Sequence, residues 1–146
     1  MSRFGSFALL AGLASIALSA AAQQPAPTVH DVPIQQTPID SGQKMFTAYC
    51  AVCHGADGTG NGPAAKALKI PPANLTLLSQ KNLGVFPAKH VESVLQFGVQ
   101  NPAHGTAEMP IWGNLMLTLH PSSQDAAALV NQRIFNLTEY LKKIQK

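Results

Sequence analysis

The sequence predicts an all-α domain, on three observations. Gly42, Met45, Phe46, Tyr49, Cys50 and Cys53 recur at i, i+3, i+4 and i+7, the spacing of one helical face. Val91, Val94, Leu95 and Phe97 repeat that pattern over residues 87–97. Val130, Ile134, Leu137, Leu141 and Ile144, spaced four, three, four and three, extend it over residues 123–146. No strand-rich pattern lies near the first helix.

The elements follow in order along 146 residues, a length that suits one domain. Arg3, an apolar run from Phe7 to Leu18 and then Ser19-Ala20-Ala21-Ala22 read as a secretory signal peptide, cleaved after Ala22. The rival reading is a retained membrane anchor, but the apolar run falls short of the ~20 residues a spanning helix needs. Residues 23–38 hold Pro25, Pro27, Pro33 and Pro38 without apolar periodicity and read as an extended tether. The domain is then expected over residues 39–146. Asp40 or Ser41 can cap its first helix. Four glycines between Gly55 and Gly62 predict a loop, Ala64–Leu68 a short helix, and Pro71-Pro72 extended backbone. Residues 87–97 form a second short helix, which Gly98 stops. A loop follows to Gly113. In the last helix Lys142, Lys143 and Lys146 sit favourably at the negative end of the dipole.

The chemistry concentrates in Cys50-Ala51-Val52-Cys53-His54, the only place where cysteine occurs. C-x-x-C-H is the attachment pattern of a covalent c-type haem. Two thiols three positions apart on one helical turn can add to the two vinyl groups of a single haem. The next residue then offers an imidazole to the iron from the same side. Thioether bonds from Cys50 and Cys53, with His54 as axial ligand, are the expectation. A thioredoxin-like dithiol would need a βαβ setting. A structural zinc site would need four ligands, and His30, His90, His104 and His120 are scattered without a short-spaced pair. A Cys50–Cys53 disulfide would close too short a loop to stabilise much.

Candidates for the opposite side of the iron are Met45, Met109, Met116, His30, His90, His104 and His120. Met109 leads: it lies in a loop between helices, Pro110 stiffens the chain after it, and a neutral thioether suits a redox iron. Met116 and His104 come next. Met45 shares a helix with the cysteines and reads as core.

Charge excludes a nucleic-acid-binding balance. Without residues 1–22 the chain carries nine basic and seven acidic residues, a formal +2. Lys66, Lys69, Lys81 and Lys89 form an acid-free stretch. This reads first as a solvated surface and second as a weak basic docking face for an acidic redox partner.

With these residues in place, the chain resembles a class I c-type cytochrome of the bacterial single-domain, monohaem group over about residues 40–146. Gly42-x-x-x-Phe46-x-x-x-Cys50 is similar to the family's N-terminal helix, and Cys50-Ala51-Val52-Cys53-His54-Gly55 to its attachment site. Pro72-Ala73-Asn74-Leu75 resembles its P-N-L segment with one residue inserted. Met109-Pro110 resembles its distal ligand loop, and Leu137-Thr138-Glu139-Tyr140-Leu141-Lys142-Lys143 its C-terminal helix. The resemblance implies a cytochrome c fold, three to five helices wrapped around one covalently bound haem c. It implies terminal helices that cross, with close approach at Gly42 and Phe46, Leu137 and Tyr140 packed there. It also implies that the Pro72 carbonyl accepts the His54 ring N–H. The long glycine loop departs from the family and leaves Pro63 and Pro71 as rivals for that carbonyl. Trp112 packs either on the haem edge or propionate, or as a partly buried loop aromatic.

The expected function is one-electron transfer in the periplasm of a Gram-negative bacterium, by a carrier that is not itself an enzyme. Six-coordinate iron leaves no vacant site for chemistry. The expected partners are redox proteins: a dehydrogenase, an oxidase or a quinol-oxidising complex. No nucleic acid and no membrane span after signal cleavage are expected. A haem subunit of a larger dehydrogenase or oxidase complex is the alternative, and an open-site haem enzyme or sensor the next.

Overall fold

The computed structural model describes residues 33–98 and 109–146. The signal peptide, most of the tether, His30 and His104 lie outside the described residues. Among these, the regular elements are all helical.

The first helical run opens at Ser41, whose Oγ accepts the Lys44 N–H at 3.3 Å. It comprises α1 (Gly42–Met45), a π-helical turn (Phe46–Cys50) and α2 (Ala51–His54). In the middle turn the Ala51 N–H reaches back to Phe46 O, one residue further than in an α-helix. Such widened turns cluster at functional sites, and this one ends on Cys50.

Three elements match expectation closely. The short helix at Ala64–Leu68 is a 3₁₀ turn over Ala65–Ala67. α4 (Ala88–Phe97) stops at Gly98. The last helix, α6, spans Ala126–Lys143. Two elements have no counterpart in the sequence reading, which expects extended backbone to Leu75 and a loop to Gly113. Leu75–Leu77 forms a 3₁₀ turn that runs into α3 (Leu78–Lys81), and Trp112–Leu117 forms α5. Each is under two turns long, too short to show a helical period in sequence.

The terminal helices meet at Gly42. A Cβ there would lie 2.8 Å from Tyr140 Cβ and 2.9 Å from the Asn136 carbonyl carbon, so only glycine lets α1 approach α6 this closely. Phe46 and Leu137 are buried at the crossing, and the Phe46 and Tyr140 rings lie 5.3 Å apart, tilted by 46°. Fully burying a side chain such as Phe46 or Leu137 is worth about 1.5–3 kcal/mol. Val130, Ile134, Leu137 and Leu141 of the α6 stripe are buried with them, and Ile144 is partly buried.

Residues 33–39 are bound to the domain, although the stretch to Pro38 read as tether. Tyr49 Oη donates to Gln35 O at 2.6 Å and receives the Thr37 hydroxyl at 2.8 Å. Arg133 Nη2 donates to Thr37 O (2.9 Å) and Nη1 to Thr37 Oγ1 (3.1 Å). Asn136 Nδ2 holds Ile39 O at 2.8 Å. These bonds are polar and irregular, so they leave no hydrophobic period to read.

Candidate haem site

Two free thiols and an imidazole share one end of the first helical run. Cys50 is buried at the end of the π turn, while Cys53 and His54 in α2 are partly buried. Burial, reinforced by the neighbouring Cys53, pushes the Cys50 thiol up to about 12. A dithiol oxidoreductase needs a stabilised thiolate, and this environment does the opposite. Among the described residues, no group of three or more His, Cys, Asp or Glu side chains gathers as a metal-binding cluster. The second pair a zinc site would need does not join Cys50 and Cys53 there.

The glycine loop wraps the end of α2 and satisfies its open carbonyls. Gly55 N–H bonds Ala51 O (2.9 Å), Ala64 N–H bonds Val52 O (2.9 Å), Gly62 N–H bonds Cys53 O (3.0 Å), and Gly60 N–H bonds His54 O (2.7 Å). Gly60 has φ +93° and stands against Pro72, whose carbonyl oxygen would lie 2.5 Å from a Cβ placed there. The loop therefore brings the Pro72–Leu75 segment alongside the motif, and Leu75 N–H closes the contact on Gly58 O at 2.7 Å.

That segment orients His54. The ring Nδ1 lies 2.9 Å from Ala73 O. A carbonyl can only accept, so Nδ1 carries the proton and Nε2 keeps its lone pair. Burial lowers the His54 pKa, and the bond to Ala73 partly offsets this. The net lowering favours the neutral imidazole, with the proton on Nδ1 and the Nε2 lone pair available to a metal.

The acceptor corrects the sequence reading, which assigned it to Pro72. The Pro72 carbonyl faces Gly60 instead, and neither Pro63 nor Pro71 takes the role. Asn74 fixes the register: its Oδ1 accepts both the N–H (2.9 Å) and the hydroxyl (2.7 Å) of Thr76. The residue preceding that asparagine is Ala73. Counting from the asparagine across the inserted residue, rather than from the proline, finds it.

Of the other candidates, Met45 and Met116 are fully buried in the core. His90 is exposed on α4, and His120 Nε2 accepts from Arg133 Nε at 3.2 Å. Met109 is partly buried and packs against the core two residues before Ile111, the N-cap of α5. Trp112 is buried in α5 and stacks on Tyr49, centroids 5.3 Å apart at 23°. This stacking ties the start of α5 to the helix that carries the cysteines. Of the lysines in the acid-free stretch, Lys89 pairs with Glu92 at 3.0 Å.

The donor set suits one group. Two thiols on a helical turn can form two thioether bonds, and the adjacent imidazole, its Nδ1 held by Ala73 O, would have Nε2 to offer an iron. This defines the class as a helical domain built for covalent haem attachment. The family model for cytochrome c matches residues 39–145, and the chain belongs to the cytochrome c family. Haem c binding and haem-based electron transfer come with that membership. No curated protein matches the chain. No helix among the described residues is long and apolar enough to cross a membrane.

Proposed function

We propose that this protein is a one-electron carrier of the periplasm, exported by residues 1–22. It would hold a single haem through Cys50 and Cys53, with His54 and Met109 as the residues that would ligate the iron. The observation that carries this reading is the Nδ1–Ala73 bond, which aims Nε2 away from the backbone on the turn that holds both thiols. When bound, the haem supplies an iron that alternates between Fe(III) and Fe(II). The chain's own residues do the rest. Ala73 O holds the His54 proton and keeps the ring in one orientation. Met109 would offer the iron a neutral sulfur, which favours the reduced state. The packed helices limit rearrangement between the two states. Electrons pass to and from redox proteins through brief contacts.

The test is an absorbance spectrum of protein matured in a c-type haem-assembly strain, oxidised and then reduced, for wild type and Met109→Ala. A weak band at the near-infrared edge reports a Met–Fe(III) bond. Its presence in wild type and loss in the variant support the closed site. Its absence from wild type, or ready binding of carbon monoxide, would move the reading to an open-site enzyme or sensor.

A further inference from the structure

We propose that Gln145 is a positioning residue for His54, acting through the chain segment whose carbonyl holds the imidazole. The inference rests on the haem reading above. Gln145 lies beyond the end of α6, and its amide works as a two-sided fork. Oε1 accepts the Ser79 N–H at 2.9 Å, while Nε2 donates to Leu75 O and Leu141 O, both at 2.7 Å. Lys146 N–H adds a fourth bond, to Thr76 O at 2.9 Å. The last two residues therefore stitch α6 to residues 75–79.

The connection to His54 is short. Ala73, the acceptor of the ring proton, is two residues before Leu75. Asn74, between them, is locked by its two bonds to Thr76. Leu75 is gripped from both sides, its N–H by Gly58 O and its carbonyl by Gln145. Where Gln145 holds Leu75, it also sets the placement of Ala73 O. The fork needs an acceptor and donors at the end of a long stem, which glutamine supplies and which glutamate, methionine and the shorter asparagine do not.

The consequence is electronic. A carbonyl fixed on Nδ1–H pulls the proton and makes the ring a stronger donor to iron, which favours Fe(III). Loosening that carbonyl weakens the pull and favours Fe(II). Gln145 thus tunes the reduction potential without touching the haem ligand.

The experiment compares haem-loaded wild type, Gln145→Met and Asn136→Ala. Asn136 Nδ2 also makes one amide bond from α6 to distant backbone, Ile39 O at 2.8 Å, but has no link to residues 73–79. Both variants should lose some stability, so potentials are measured well below unfolding. Two quantities are read: the Fe(III)/Fe(II) ratio in a spectroelectrochemical titration, and exchange of the His54 Nδ1–H by proton NMR of the reduced protein. At the poise where wild type is half reduced, Gln145→Met should hold several-fold more Fe(II) than Fe(III), with faster Nδ1–H exchange. Asn136→Ala should match wild type in both. A wild-type potential and exchange rate in Gln145→Met overturns the inference, as does an equal shift in Asn136→Ala. Wild type without a covalent-haem spectrum would instead overturn the haem reading, and the inference with it.

Discussion

Replacing Gly42 with alanine should force the terminal helices apart. The added Cβ would sit 2.8 Å from Tyr140 Cβ and 2.9 Å from the Asn136 carbonyl carbon, and closer still to the Asn136 oxygen. Carbon atoms pack best at about 3.5–4.0 Å, so the helices must separate by roughly 0.7 Å or more at the contact. The obstacle is largely backbone, which cannot rotate away as a flexible side-chain end could. A gap of that size forfeits about a quarter to a half of the dispersion energy along the seam. The seam includes the Phe46–Tyr140 ring contact and fully buried Leu137. Overpacking of this kind costs about 1–3 kcal/mol. Alanine's better helix propensity is worth at most about 1 kcal/mol and less at the first helical position, where Gly42 stands. The net expectation is a loss of about 2 kcal/mol, or roughly 8 °C in Tm for a domain of this size. Guanidinium unfolding of the haem-loaded protein measures it, with Gln43→Ala as the exposed neighbour on the same turn. Should Gly42→Ala unfold within about 0.5 kcal/mol of wild type, the surface-substitution range, the crossing does not depend on close approach and the reasoning fails.

Three further outcomes are expected. Gly60→Ala should lose roughly 2–4 kcal/mol, from left-handed strain added to a clash with Pro72 O, and should lower covalent haem yield in the assembly strain; a normal yield would detach the loop from His54 orientation. The Asp57 carboxyl sits below its ordinary range because the Thr59 N–H (3.1 Å) and hydroxyl (2.9 Å) both donate to it. A depressed carboxyl contributes stability at neutral pH and loses it as pH falls through the folded value. An NMR titration of Thr59→Ala should move the Asp57 midpoint upward, and an unmoved midpoint would count against the hydroxyl's part. Leu83 holds φ +56° with its side chain wholly exposed, at the position after Asn82, the C-cap of α3. Leu83→Gly should therefore gain about 0.5–1 kcal/mol by thermal unfolding, and a loss would mean the leucine makes a contact in solution.

How much of this was legible depends on which force holds each part. The long helices were readable because burial imposes a period: Val130, Ile134, Leu137 and Leu141 face the core as their spacing requires. The attachment turn was readable because its chemistry tolerates only one spacing of thiols and imidazole. The Gly42 crossing was readable through resemblance, since close approach leaves only an isolated glycine in the sequence. The acceptor for His54 was missed by one residue, because a carbonyl belongs to every residue and its identity depends on register. That register is set by Asn74 capping Thr76, a bond within the segment, and by Gly60 admitting Pro72, a contact across the loop. Gln145 and Arg133 gave no signal either, since a lone polar residue on or beyond a helix looks solvated until its partners are known.

Arg133 shows why the stretch before the domain cannot be treated as a plain tether. Its guanidinium is buried on α6, and its described partners are His120, Thr37 and Met45 Sδ, none of them an acid. A buried cation without an anion must have its donors met by neutral acceptors, or its desolvation goes uncompensated. Thr37 supplies two of those acceptors, its carbonyl and its hydroxyl, and both lie in the stretch that composition assigned to tether. The same hydroxyl donates to Tyr49, and Tyr49 carries Trp112 at the start of α5. His120, just beyond the other end of α5, accepts from the same guanidinium. Residues 35–39, α5 and the cysteine-bearing helix are thus joined through one buried charge. Met109 enters α5 from this corner, so the placement of the proposed second ligand depends on five residues that have no hydrophobic pattern of their own.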